Sequence, residues 1–292
     1  MKITNLTDNL FLIDQKATYT CGLDLDGEVV LFDSCLDLSI AKKIDKLLGK
    51  KIKAIFHTHS HADHVGGDFF FYNKYRCDVY IHKNELSFLS YPYLEPSLLY
   101  GGAAYTAITG KFLKAEKIET ALPFDSALDL LKELNIELID LSGHSPAQTG
   151  FKFKDVIFVG DALFSEDLID KYKILYLFYP KSYLKSLETL ESLEYKKIIF
   201  CHKGYLSKDE ALEIIKSNKS HLFEVYKTIY KIADGKTAEE ITDILIDRLE
   251  IHINMDLISL VNSTVKGYLS WLELDNKLRV YYDKGVRWKQ IQ

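Results

Sequence analysis

The sequence has few cysteines, no long apolar run and no serine-nucleophile motif. Its four cysteines are scattered without C-x-x-C spacing, so we expect no disulfide framework and a cytoplasmic location. No apolar run approaches the roughly 18 residues that a transmembrane helix needs, and we expect no membrane partner. The first residues lack the continuous apolar stretch of a signal peptide. A serine nucleophile has no support, because G-x-S-x-G is absent.

The overall composition is ordinary for a globular protein. The chain has 292 residues, of which 47% are hydrophobic and 27% are charged, and its formal net charge is -5. This charge gives no general attraction to nucleic acid or to an anionic membrane, although a local basic patch stays open. The length predicts one catalytic-sized unit with a small appendage.

The first 205 residues alternate strand-like and helix-like segments. A buried run such as EVVLFDS is followed by SIAKKIDKLLGK, which has helical spacing and ends at Gly49. This repetition indicates a layered α/β unit. Residues 88–115 differ, because they contain two prolines and the pair Gly101-Gly102, and we predict an irregular flap there. The flap tyrosines could line a pocket, cover a core edge or form a dimer contact, and they are Tyr91, Tyr93, Tyr100 and Tyr105.

After about Tyr205 the pattern becomes helical. Thr237 and Glu240 form a capping box before one helix, and Ser263 or Thr264 is the expected cap of another. Two β-like runs flank a hairpin turn at residues 283–285. We therefore predict two domains, a catalytic unit over 1–205 and a winged-helix-like domain over 206–292.

Residues 57–64 read HTHSHADH and contain four of the nine histidines of the chain. The H-x-H-x-D-H pattern within this octet comes from His59, His61, Asp63 and His64 at the end of a predicted strand. Three other predicted strands end in a small residue and a potential ligand, namely His144, Asp161 and His202. A single histidine is more often a hydrogen-bonded core residue than a metal ligand. Loops at the ends of strands in one layered sheet can converge, however, and this would bring the four segments together. Imidazoles and carboxylates suit zinc, iron or manganese.

The motifs HSHADH, GHS, GDA and CHKG, in this order, resemble those of the metallo-β-lactamase superfamily of binuclear metallohydrolases. The resemblance covers about the first 205 residues. It implies an αβ/βα four-layer sandwich with the metal site at one edge between two sheets. It also implies that one metal is held by His59, His61 and His144. The second would be held by Asp63, His64 and His202, and Asp161 would bridge the two.

Two divalent cations about 3.5–4 Å apart repel each other, so an anion must lie between them. Asp161 and a hydroxide can both fill this role. Metal-bound water has a pKa near ~7, and the resulting hydroxide would attack an electrophilic carbonyl or phosphorus. We expect Asp63 to orient this hydroxide as well as to bind metal, which makes it the candidate catalytic residue. Zinc is the expected metal, with iron and manganese as alternatives.

Other residues carry weaker predictions. Asp33 ends a strand where the family often has an acidic residue that supports a ligand histidine, although an aspartate in a turn is an equal alternative. His57 has no family role and His82 resembles a common strand end, so both are interpreted as structural. Lys171 and Tyr172, which follow Asp161 by about ten residues, are candidate substrate contacts.

The superfamily cleaves thioesters, lactones, β-lactams and phosphodiesters, so the fold does not select a substrate. The basic C-terminal segment of glyoxalase II enzymes and the large insertion of β-CASP nucleases are absent, whereas iron enzymes that oxidise persulfides stay open.

We expect a hydrolase of a small ester, thioester or lactone, and a homodimer is left open. One alternative is an endoribonuclease or phosphodiesterase whose basic wing holds RNA, because the tail resembles the winged helix of a subgroup that includes endoribonucleases. Another is a non-catalytic metal-binding scaffold. The wing bases are Lys277, Arg279, Lys284, Arg287 and Lys289.

Overall fold

The computed structural model describes residues 1–291 and contains two large β-sheets stacked face to face. The first sheet has seven strands arranged in chain order. They are β1 (Lys2–Asn5), β2 (Leu10–Asp14), β3 (Tyr19–Asp24), β4 (Glu28–Phe32), β5 (Lys51–Phe56), β6 (Asp78–Ile81) and β7 (Leu122–Pro123). Strands β4 to β7 are parallel, so their carboxyl ends lie at the same edge of the sheet.

The second sheet has five strands, which are also arranged in chain order. They are β8 (Ile136–Asp140), β9 (Thr149–Phe153), β10 (Val156–Phe158), β11 (Lys197–Phe200) and β12 (Gly204–Ser207). Strand β9 is antiparallel to both β8 and β10, and β10 is parallel to β11. Strands β8, β10 and β11 therefore run in one direction and end at one edge.

The core between the sheets is rich in phenylalanine. Phe32, Phe56 and Phe151 are fully buried, and the ring centroids of Phe32 and Phe151 are 5.0 Å apart. Because side chains alternate along a strand, Phe32 faces the second sheet whereas Leu31 packs on the outer helices. Both faces of β4 are thus buried, and the order of layers is helix, sheet, sheet, helix. The expected αβ/βα sandwich is confirmed.

The helices of the first half of the chain are short. They are α1 (Leu38–Leu48), α2 (Ala62–Val65), α3 (Asp68–Tyr75), α4 (Leu86–Ser90), α5 (Leu94–Tyr100) and α6 (Leu128–Glu133). Helix α1 begins after Asp37, whose side chain accepts bonds from two backbone N–H groups, and it ends at Gly49, which has a φ of 60°. The predicted helix and its stop are confirmed. Ala41 and Ile44 are its buried face.

The helices on the second sheet include the C-terminal segment. They are α7 (Glu166–Tyr172), α8 (Pro180–Ser192), α9 (Lys208–Ile232), α10 (Ala238–Leu249) and α11 (Met255–Leu274), and a hairpin of β13 (Leu278–Tyr282) and β14 (Val286–Gln290) follows. Buried residues of α9 and α11, such as Ile215 and Leu269, share one apolar cluster with Leu187 and Phe200. The C-terminal segment therefore rests directly on the catalytic unit.

Two local predictions are wrong. Helix α11 begins after Asn254, which accepts a bond from the backbone N–H of Leu257, and not at Ser263 or Thr264. Thr264 lies inside the helix, where its hydroxyl accepts a bond of 3.0 Å from the N–H of Leu177. The flap also contains α4, α5 and a 3₁₀ turn at Thr106–Ile108. Pro96 lies in the first turn of α5, where a missing N–H leaves no bond unmade.

In the part of the chain that the structure describes, no helix has the length and apolarity needed to cross a membrane. The four cysteines are free and buried.

Candidate metal centre

Seven potential ligands meet where strands of both sheets end. The octet follows β5 of the first sheet, while His144, Asp161 and His202 follow β8, β10 and β11 of the second. The backbone N–H of Thr149 donates a bond of 2.8 Å to the carbonyl of Thr58, which joins the octet to the second sheet. The structure thus brings together all seven residues that the motifs predict, at the expected edge.

Three imidazoles form the first group. The Nδ1 atom of His61 lies 3.0 Å from Nε2 of His59 and 2.9 Å from Nε2 of His144. All three nitrogens lie within 4.8 Å of one another, so one cation between them could contact each ring.

The second group surrounds a carboxylate. The Oδ2 atom of Asp161 lies 3.2 Å from Nε2 of His202 and 3.6 Å from Nε2 of His64. The same oxygen lies 3.6 Å from Nε2 of His144, which belongs to the first group. Asp63 Oδ1 lies 3.7 Å from Nε2 of His64. Asp161 therefore lies between the two groups, close to imidazoles of both.

The rear nitrogens of His144 and His202 face carbonyl acceptors. Nδ1 of His144 lies 3.0 Å from the carbonyl oxygen of Tyr176, and Nδ1 of His202 lies 3.0 Å from that of Ala17. A carbonyl can only accept, so each of these Nδ1 atoms carries a proton, and Nε2 is the atom that each ring directs to the site. The orientation of both rings suits metal binding.

Two octet histidines are held in the same way. Nδ1 of His64 lies 2.8 Å from Oδ2 of Asp33, and Nδ1 of His59 lies 2.9 Å from the hydroxyl oxygen of Thr58. The Thr58 hydroxyl donates in turn to Oδ2 of Asp33 at 2.8 Å, which leaves its oxygen free to accept from His59. Nε2 of both rings therefore faces the site.

Two buried atoms test whether this site fits a metal. Within residues 1–291, Nε2 of His64 and Oδ1 of Asp161 have no hydrogen-bond partner although both are buried. Such atoms are costly in a folded protein unless something else binds them. A cation in the centre would use the lone pair of each. The five imidazoles and two carboxylates also match the donors that zinc, iron and manganese accept, so the residues present fit two divalent ions.

The two groups differ in electrostatics. Burial, together with the neighbouring imidazoles, holds the pKa of His59 and of His61 well below the ordinary value, so both rings are neutral. Burial also acts on His202, but Asp161 and Asp63 outweigh it and raise the pKa of this ring to about 9. Negative charge is thus concentrated on the side of the second group.

Glycine is required before two of the ligands. Gly143 has a φ of +136°, and a Cβ there would lie 2.3 Å from the backbone nitrogen of Tyr183. Gly160 has a φ of +55°, and a Cβ there would lie 2.5 Å from the hydroxyl oxygen of Thr58. The glycines of the GHS and GDA motifs therefore allow the loops of the second sheet to approach their neighbours closely.

Asp33 holds residues of the octet through hydrogen bonds. It adopts a left-handed conformation with a φ of 59°, and its Oδ1 accepts a bond of 2.7 Å from the N–H of Thr58. Burial raises the pKa of Asp33, but His64 and His57 outweigh burial and lower it to about 2. His57 lies outside the cluster, with Nε2 2.7 Å from Oδ2 of the buried Asp68. Its position agrees with the structural interpretation.

Sequence reasoning missed two buried glutamates. Glu85 accepts bonds from the N–H of Ser60 at 2.7 Å, from the N–H of Ala147 at 2.8 Å and from the Ser145 hydroxyl. It therefore ties the octet to the loop that carries His144. Glu95 on α5 has Oε1 at 3.5 Å from Nε2 of His61. Neither glutamate stands in a recognisable motif. The only signal was that Glu85 follows His82, itself outside the cluster, by three residues.

A cavity of about 510 Å³ adjoins the cluster, with Asp63, His144 and His202 on its lining. The lining includes Lys171 and Tyr172, the two predicted substrate contacts. Within residues 1–291 the four flap tyrosines lie elsewhere, and the flap contributes Phe112 instead. The hydroxyl oxygen of Tyr105, for example, lies 3.3 Å from the hydroxyl oxygen of Ser259 on α11. Tyr100 and Tyr105 lie beside α11, whereas the hydroxyl of Tyr93 donates to the carbonyl of Ala104 within the flap.

The sequence is similar to a known family and to a known protein. The profile of the Metallo-beta-lactamase superfamily matches residues 21–202, which is more than half of the chain. The chain is 29% identical over 146 residues to a protein of Bacillus subtilis (strain 168) named Probable metallo-hydrolase YqgX. This match covers 48% of the chain and 63% of the relative, so the chain spans less than two thirds of that protein.

The fold is similar to that of solved structures. The metallo-beta-lactamase family protein TTHA1429 from Thermus thermophilus matches with a TM-score of 0.72 and 19% identity, over 98% of this chain and 100% of that one. The likeness therefore extends over the C-terminal helices. TTHA1623 in a di-iron-bound form matches with a TM-score of 0.51 and 21% identity, over 69% of this chain and 96% of that one. At these identities both matches establish the fold alone.

Proposed function

Because this chain belongs to the metallo-beta-lactamase superfamily, we propose that it is a metal-dependent hydrolase of a small ester, thioester or lactone. One observation carries the choice of substrate class: the seven-residue cluster opens directly into a small-molecule-sized cavity. Its volume of about 510 Å³ falls within the range of roughly 300–1,000 Å³ that is typical of small-molecule sites. A substrate carbonyl at the cluster would have the rest of the molecule in this cavity.

The residues of the site have separate tasks in hydrolysis. His59, His61 and His144 would hold one cation, and Asp63, His64 and His202 the other, with Asp161 shared. Two divalent cations bound there supply Lewis acidity and lower the pKa of water to about 7. Asp63 has 29% of its side chain exposed and lies on the cavity lining, so it can orient the attacking water and accept its proton.

The reaction consumes one water molecule. The water oxygen joins the acyl carbon, and the bond from that carbon to the leaving oxygen or sulfur breaks. The proton that Asp63 accepts is delivered to the leaving atom, so the products are an acid and an alcohol or thiol. A lactone gives one molecule that carries both groups. Lys171 and Tyr172 remain the proposed substrate contacts on the lining.

Zinc is the proposed metal, and iron is the main alternative. Five histidines and two aspartates form a donor set that accepts either ion. The di-iron form of TTHA1623, which shares the fold, supports keeping iron open. Buried free cysteines support a reducing compartment, and we keep the cytoplasm as the proposed location.

The nuclease alternative receives less support. Of the wing bases, Arg287 is engaged within the protein, because its Nη1 lies 2.9 Å from Oε2 of Glu240 and 2.6 Å from the carbonyl of Gly235. Lys266 of α11 lies 3.4 Å from Oε1 of Glu239. Fewer bases are thus available for phosphates. A small-molecule substrate is the proposed partner.

The proposal is tested by elemental analysis of the purified chain and a substrate panel. We expect about two metal ions per chain and turnover of an ester, thioester or lactone that is insensitive to salt. Chelation should abolish the turnover and added zinc should restore it. Cleavage of single-stranded RNA, with binding that weakens steeply as salt rises, would instead identify a nuclease. Binding without turnover of any panel compound would identify a scaffold.

A further inference from the structure

The cavity beside the metal centre is walled mainly by hydrocarbon. Apolar side chains from three distant segments converge on it, namely Phe112, Leu168, Ile174, Leu175, Leu257 and Leu260. Phe112 comes from the flap, Leu168 from α7 and Leu257 from α11. This wall is assembled only in the folded chain, since its parts are far apart in the sequence.

The apolar wall reaches the ligands themselves. The ring centroid of Phe164 lies 5.6 Å from that of His144, and that of Tyr176 lies 5.7 Å from the same ring. Both aromatic residues also line the cavity. A substrate carbonyl held at the cluster would therefore have an apolar surface directly next to its acyl carbon. A phosphate or sugar held against Phe164, Leu175 and Leu260 would lose water without gaining partners from these apolar side chains.

We infer that the substrate carries an aliphatic acyl group, which lies between the flap, α7 and α11 while its carbonyl faces the metal ligands. This inference rests on the proposed function and names the class of ester or thioester. Each methylene moved from water into such a wall strengthens binding about fourfold. The C-terminal segment is then a specificity element, because Leu257 of α11 forms part of the wall.

Helix α11 supplies a matched pair of positions. Leu257 lines the cavity at the metal centre, whereas the next residue, Ile258, lines a separate groove with Tyr100 and Tyr105. Both side chains are half-buried and aliphatic. A tryptophan at Leu257 would fill the acyl cavity, and the same change at Ile258 would not.

The experiment measures binding of straight-chain alkanoates, the acid products, to the zinc-loaded full chain by calorimetry. From acetate to decanoate, the Kd should fall about fourfold for each added methylene until the cavity is full. In Leu257→Trp the Kd should stop falling at a shorter chain length. Decanoate should bind at least about tenfold more weakly than to the unmodified chain, which corresponds to about two methylenes that no longer fit. Ile258→Trp should leave the series unchanged. If Leu257→Trp is unstable, Leu257→Ala should move the limit to longer chains.

The results separate this inference from the proposed function. A Kd that does not change with chain length, or tighter binding of a nucleoside monophosphate than of decanoate, would overturn the acyl inference. If esters are hydrolysed but the Kd of the alkanoates does not change with chain length, the acyl inference is wrong and the proposed hydrolase function stands. If the Kd falls steeply with chain length but no ester, thioester or lactone is hydrolysed, the proposed hydrolase function is wrong and the ligand class is retained.

Discussion

The metal centre and the cavity wall are built from different parts of the fold. The ligands follow strands of the two sheets, and His59 and His64 have at most 1% of their surface exposed. The wall comes from the flap and from helices that lie outside the sheets, and Phe112 is 62% exposed. In this chain the sheets determine the chemistry, and the outer segments determine which molecule reaches it.

The two regions are also held differently. The rings of His59, His64, His144 and His202 are fixed by directional bonds at their rear nitrogens, and Glu85 joins the loops beneath. A lost bond there leaves a buried polar group unpaired, which costs roughly 1–3 kcal/mol. The wall depends on apolar contact, which has no required direction. We therefore expect substitutions in the metal centre to be severe and specific, and those in the wall to be mild and graded.

The largest expected effect follows removal of the shared ligand. Asp161→Ala should lose metal and activity together, because no other carboxylate among residues 1–291 stands between the two groups. Metal ions supply several kcal/mol of transition-state stabilisation, so the rate should fall by about 10³-fold or more. Metal content and turnover are measured together, and circular dichroism shows whether the core remains folded. The exposed Asp129→Ala is the control. A metal-free Asp161→Ala protein with full activity would refute the bridging role.

An intermediate effect is expected at the glutamate that joins two ligand loops. Each carboxylate oxygen of Glu85 accepts a hydrogen bond from a backbone N–H. In Glu85→Gln one of these oxygens is replaced by an amide nitrogen, which cannot accept that bond. The loops of the octet and of His144 should separate, and metal affinity should fall about 10–100-fold, as for other residues that orient ligands. Competition with a chelator measures the affinity directly.

The matched control for Glu85 is Glu133→Gln, since Glu133 is exposed at the end of α6. Its metal affinity should equal that of the unmodified chain. Asp33→Asn should weaken metal binding as well, because it disturbs His64 and Thr58. If Glu85→Gln binds metal as tightly as Glu133→Gln does, the loops do not depend on this carboxylate.

The sequence predicted the metal centre better than the wall for a physical reason. Four of the ligands stand within six residues, and the other three directly follow buried strands, so local pattern and strand direction place them. Glu85 could not be found in this way, because its partners come from two other loops. Phe112 was missed for a similar reason. The direction of a flap side chain depends on how α11 packs, and the cap of α11 itself was predicted at Ser263 or Thr264 instead of Asn254.

The smallest expected effect lies at the exposed rim of the wall. Phe112→Ala should raise the KM for long-chain acyl esters about 3- to 10-fold, the loss of contacts worth roughly 1 kcal/mol. The kcat and the metal content should not change, because Phe112 does not belong to the ligand cluster. Tyr91→Ala is the control, since Tyr91 is a flap aromatic that is 59% exposed and does not line the cavity. Equal KM values in the two variants would show that the flap does not contact the substrate, whereas a loss of metal in Phe112→Ala would show that wall and metal centre are not independent.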